Sequence, residues 1–131
     1  MIGLDTNLLV RYLTQDDAAQ SKQAARIFDA AIEAGEDLYL NHIVVCELTW
    51  VLSRAYGYAK HELLGVLEKI LAAGQFAFED KDSLWRALEA FRRSSADFAD
   101  CLIGVKNSTA GCRTTVTLDR AAAGLGNFTL P

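Results

Sequence analysis

Short apolar runs separated by amphipathic stretches of helical period recur along this chain, and that alternation restricts its fold more than any other feature. Met1–Leu4, Leu38–Leu40, Phe76–Phe78 and Thr114–Thr117 have the length and side-chain type of strands, and residues 127–130 form a short last candidate. Met1–Leu4 reads as a buried strand leading into a helix start at Asp5-Thr6-Asn7. Leu8, Leu9, Tyr12 and Leu13 then repeat at helical spacing until Asp16 and Asp17 interrupt them. A second helix is predicted from about Ala18 to Ala34, with Ala24, Ile27, Phe28 and Ala31 on one face and Gly35 ending it. Asn41 can cap a third, whose stripe is Val44, Val45, Leu48, Val51 and Leu52 and which stops near Tyr56-Gly57. Further helices are predicted over about Lys60–Ala73, Ser83–Arg93 and Asp97–Ala110, the last closed by Gly111. Strands that alternate with helices define an α/β fold. Right-handed crossovers place helices on both faces, so the expectation is a three-layer α/β/α sandwich around a mainly parallel sheet of four to five strands.

A chain of 131 residues is expected to form a single domain, residues 1–131, large enough to fold without disulfides or a structural metal. Half of it is apolar and only one residue is proline, which excludes a disordered chain. Three cysteines, Cys46, Cys101 and Cys112, form no CxxC pair and suggest a reducing, cytoplasmic setting. They stand beside apolar residues and read as buried structural thiols. The start carries no signal-peptide pattern, and no apolar run reaches the length of a membrane span. The net charge of −4 argues against nucleic-acid binding through a broad positive field. It leaves room for a nuclease whose carboxylates hold cations.

Five carboxylates stand out. Asp5 follows the first strand and Asp119 follows the Thr114–Thr117 strand, so each is placed at a carboxyl end where ligands of parallel sheets bind. Either can equally be a helix cap. Glu47 lies within Val44-Val45-Cys46-Glu47-Leu48, where a carboxylate among core residues is costly unless paired or bound to a cation. Alternatively it reaches water from the edge of that face. Asp97 and Asp100 share one side of a helix start at i, i+3 and repel each other, although the helix dipole favours both. Oxygen-only donors of this kind suit hard cations such as Mg²⁺ or Mn²⁺. Zinc is disfavoured, because His42 and His61 have no ligand spacing with a cysteine; they read as a cap-region residue and a surface residue. No serine-nucleophile elbow, phosphate-binding loop or dinucleotide fingerprint is present.

These residues resemble a known family. Ile2-Gly3-Leu4-Asp5-Thr6-Asn7 looks like the opening of PIN domains, and Val44-Val45-Cys46-Glu47-Leu48 is similar to the helix that carries their glutamate. Ala99-Asp100-Cys101-Leu102-Ile103-Gly104 resembles their D-A-L-I-A helix, with cysteine and glycine in place of two alanines. Thr117-Leu118-Asp119-Arg120 resembles their T-x-D. A compact chain of this pattern is most similar to the VapC-type toxins of toxin–antitoxin pairs. The resemblance implies a Mg²⁺- or Mn²⁺-dependent endoribonuclease acting on RNA, cytoplasmic, dimeric, and held inactive by a small antitoxin. It also implies Asp5, Glu47, Asp100 and Asp119 as catalytic metal ligands, with Asp97 either an auxiliary ligand or only a cap. Thr117, Thr6 and Asn7 are implied to hydrogen-bond those carboxylates. Arg11, Arg54, Arg92, Arg93, Arg113 and Arg120 are candidate RNA or partner contacts, each equally readable as a solvated surface charge. The alternatives are a PIN fold without catalysis and a stand-alone nuclease without an antitoxin. An aspartyl-phosphate phosphatase would require an acid where Asn7 stands.

Overall fold

The computed structural model describes residues 1–131, whose packing gathers into two compact units, Met1–Glu79 and Asp80–Pro131. The first unit runs β1 (Ile2–Gly3), α1 (Thr6–Thr14), α2 (Ala18–Ala34), β2 (Leu38–Leu40), α3 (His42–Tyr56), α4 (Lys60–Ala72) and β3 (Phe76–Phe78). Its strands form one parallel sheet in the order β1-β2-β3, with Ile2 opposite Leu38 and Leu38 opposite Phe76. Each crossover is a pair of helices, as parallel neighbours require a long connection. β2 is central, and Leu38 and Leu40 are fully buried. β1 is an edge strand, and Ile2 and Gly3 are exposed rather than buried as the apolar run suggested. Only Leu4, just past the strand, is in the core.

Helix ends follow local chemistry. Gln15 takes a left-handed φ of 55° and ends α1, and Asp17 caps α2 by accepting from the Gln20 N–H. Gly35 and Gly57 end α2 and α3 at φ 64° and 67°, backbone that a Cβ would strain. Asn41 accepts from the Val44 N–H and caps α3. Phe28 is fully buried and stacks on Tyr12, with ring centroids 3.7 Å apart. Each fully buried Leu or Phe contributes about 1.5–3 kcal/mol. Leu9, Leu48, Leu52, Leu67 and Leu71 complete this core.

The second unit runs α5 (Lys81–Arg93), α6 (Phe98–Thr109), β4 (Thr115–Val116), α7 (Arg120–Ala123) and β5 (Phe128–Thr129). α5 packs on α6 through an edge-to-face contact of Phe91 and Phe98. Asp80 caps α5, which starts at Lys81, two residues before the expected Ser83. β4 and β5 pair in parallel, Thr115 opposite Phe128. Gly104 explains the departure from alanine in the α6 motif. A Cβ there would collide with the Phe128 ring and stand 2.7 Å from Asn127 Nδ2. Pairing is parallel within each sheet and the class is α/β, with three strands in the first unit's sheet and two in the second's rather than four to five in one. No helix is long and apolar enough to cross a membrane. Cys101 is buried, Cys46 is half-buried and Cys112 is exposed, so burial holds for one of the three thiols and fails outright for Cys112, which lies in the turn before β4.

Candidate active site

In the first unit, Asp5 stands at the cap position of α1 with extended backbone, yet its side chain accepts no capping hydrogen bond. The carboxylate is exposed and borders an open cleft of about 310 Å³ with Asn7, Leu8, Arg11, Gln20 and Gln23. The next residue, Thr6, is buried, and its hydroxyl donates to Glu47 Oε1 at 2.9 Å. This bond ties the start of α1 to the middle of α3. Glu47 itself is exposed, so the desolvation cost inferred from its apolar neighbours does not arise. Val44, Val45 and Leu48 turn inward on α3 while Glu47 points outward. Asn7 is exposed and bonds to no carboxylate; it shares the cleft with Asp5. Arg11 is committed to Gln20, Asp16 and Tyr56.

In the second unit, three acids gather. Asp97 caps α6 by accepting from the Asp100 N–H at 2.8 Å. Asp119 accepts from the N–H groups of Ala121 and Ala122 and caps α7. Asp100, in the first turn of α6, is pushed up to about 6. Burial is the main cause, followed by the charge and hydrogen bonding of Asp97 and then those of Asp119. Thr117 does not donate to a carboxylate. Its hydroxyl accepts from the backbone N–H of Asp119 at 3.0 Å and so fixes the turn on which Asp119 sits. α7 realises the capping alternative for Asp119, a cap followed within two residues by three alanines, the best helix formers.

Within each unit no three His, Cys, Asp or Glu side chains converge as a ready ligand set. The donor chemistry is nonetheless that of a hard-cation site, carboxylate oxygens only. A cation beside these acids would offset the repulsion from Asp97 and Asp119 that adds to the effect of burial on Asp100, so the donor chemistry, though not a ready cluster, fits a divalent ion. His42 takes no part: it begins α3, with Nδ1 3.6 Å from Glu79.

An α/β chain with parallel strands and an acid at the carboxyl end of β1 and of β4 has the build of a PIN domain. The chain belongs to that family, whose model, described as PIN domain, matches residues 2–125. Among individual proteins, it is 27% identical over 123 residues to a VapC ribonuclease of Aquifex aeolicus (strain VF5), covering 94% of this chain and 90% of that one. No solved structure matches it significantly.

Proposed function

We propose that this chain is a divalent-metal-dependent endoribonuclease, the toxin of a type II toxin–antitoxin pair, built as one PIN domain. The observation that carries this reading is the group of Asp97, Asp100 and Asp119 in a chain of the PIN family, where burial first, and then the charges of Asp97 and Asp119, raise Asp100 to about 6. The likeness to a VapC ribonuclease supports RNA as substrate and a small antitoxin as partner; a homodimer acting in the cytoplasm completes the proposal.

Asp5, Glu47, Asp100 and Asp119 are the ligands in this reading, and Asp97 joins them while capping α6. Bound Mg²⁺ or Mn²⁺ supplies an activated water and neutralises charge that builds on the phosphate. Thr6 holds Glu47 in one orientation, and Thr117 holds the backbone of Asp119. Asp5 keeps its carboxylate free of capping bonds.

Purified protein, freed of any antitoxin, is expected to cleave RNA with Mg²⁺ or Mn²⁺ and to stop in excess chelator. Asp5→Asn is expected to lower the rate on the order of 10³-fold, since a metal's charge stabilisation is worth several kcal/mol and each 1.36 kcal/mol is tenfold. Full activity in chelator, or in Asp5→Asn, overturns the metal-nuclease reading. Suppression of cleavage by the product of a short reading frame beside its gene checks the toxin role.

A further inference from the structure

Glu47 does not stand alone on the outer face of α3. Trp50 and Arg54 follow at i+3 and i+7, which a helix of 3.6 residues per turn places on one stripe. All three are exposed, Trp50 to 39% of its surface, and they line one open cleft of about 320 Å³ with Val51 and Ala55. That volume is at the lower end of the roughly 300–1,000 Å³ typical of small-ligand sites. A large exposed indole needs no explanation singly, but here an arginine lies over it, with Cζ 5.9 Å from the ring centroid. Arg54 pairs with no carboxylate, unlike Arg11, Arg86 and Arg92, and among the arginines it is the one that lies over an exposed indole. In a chain of net charge −4, a guanidinium left free beside an exposed ring is positioned for an anion.

We infer that Trp50 and Arg54 form a nucleotide subsite for single-stranded RNA, an unpaired base stacking on the indole and a backbone phosphate meeting the guanidinium. This rests on the nuclease reading above and names how its substrate is held. Stacking on an aromatic face is the sequence-tolerant way to hold an unpaired base, and base-paired RNA does not offer it. RNA is favoured over a protein partner because Glu47, a ligand in the proposed reaction, lines the same cleft. A strand stacked on Trp50 is thereby delivered to the carboxylate one helical turn away.

The test uses the inactive Asp5→Asn chain in excess chelator, a short single-stranded oligoribonucleotide, and tryptophan fluorescence in a Trp85→Phe background that leaves Trp50 as the reporter. RNA is expected to quench the signal. Affinity, read by the anisotropy of a fluorescently labelled oligoribonucleotide, is expected to fall about tenfold in Trp50→Ala, to recover mostly in Trp50→Phe, and to fall in Arg54→Ala with a weaker salt dependence. In the active chain the loss from Trp50→Ala should appear in KM more than in kcat. Trp50→Ala binding within twofold of its parent overturns the subsite. So does conversion of a dimer to monomers by Trp50→Ala in light scattering, which assigns the face to a protein contact. If the active chain cleaves RNA while Trp50→Ala leaves affinity and KM untouched, only the subsite falls. If RNA quenches Trp50 but no divalent ion supports cleavage, only the nuclease reading falls.

Discussion

The motif aspartates of the two units stand at equivalent places, the entrances of helices, and are held in opposite ways. Asp5 heads α1 without a capping bond, while its neighbour Thr6 supports Glu47 instead. Asp97 and Asp119 each accept backbone N–H groups at the heads of α6 and α7, and both crowd Asp100. A side-chain cap stabilises by about 1 kcal/mol, so the second unit draws stability from acids that the first leaves unengaged. The difference teaches that the position of an aspartate does not decide its role; the donors that reach its oxygens do.

The largest effect separating the two arrangements is expected at Thr6. Thr6→Val keeps the shape and removes the only hydroxyl donating to Glu47, and cleavage or metal affinity should fall about 10- to 100-fold, measured by kinetics against added Mn²⁺. An unchanged metal dependence would mean that Glu47 does not need this support. Capping gives the next contrast. Asp119→Ala should lower stability by about 1 kcal/mol in denaturant unfolding, whereas Asp5→Ala, which loses no capping bond, should stay within about 0.5 kcal/mol. Equal losses would erase the distinction drawn between the two acids.

The smallest effect is a pH dependence. The folded chain holds the Asp100 proton more tightly than the unfolded chain, about 6 against 3.8 for an ordinary aspartate. Between those values the folded state binds more protons, so this group's contribution to stability falls as pH rises from about 4 to 6 and is flat above. Thermal unfolding in chelator should show the decline in the parent and its absence in Asp100→Asn. After discounting for solvent screening the difference near pH 7 should be below about 1 kcal/mol, in favour of the variant. Mg²⁺ should remove it. A parent that loses no stability relative to Asp100→Asn over that interval contradicts the raised Asp100.

Much of the fold was legible because it rests on local rules. Asn41, Gly35 and Gly57 mark helix ends by their own chemistry, and the stripe from Val44 to Leu52 marks the buried side of α3. Sequence pattern failed where exposure depends on partners far along the chain: Ile2 and Gly3 are apolar and exposed because β1 ends its sheet. For Glu47 the sequence left two readings, and the structure takes the one that reaches water, its helix turning the neighbouring valines inward. The acids themselves could be picked out one by one from strand ends and helix starts. Which oxygens were already engaged could not, because Asp5 and Asp119 look alike in the chain.

The order of the elements, their parallel α/β class and the identity of the acids were determined by periodicity, caps and motif spacing, all of which act over a few residues. Tertiary structure alone decided that Thr6 reaches across 41 positions to Glu47, that Gly104 makes room for Phe128, and that Asp119 comes close enough to Asp100 to raise it. The reason is that distance in the chain carries no information on distance in space. Hydrogen bonds, collisions and charge repulsion each depend on separations of a few ångströms, which exist only once the helices and strands have packed.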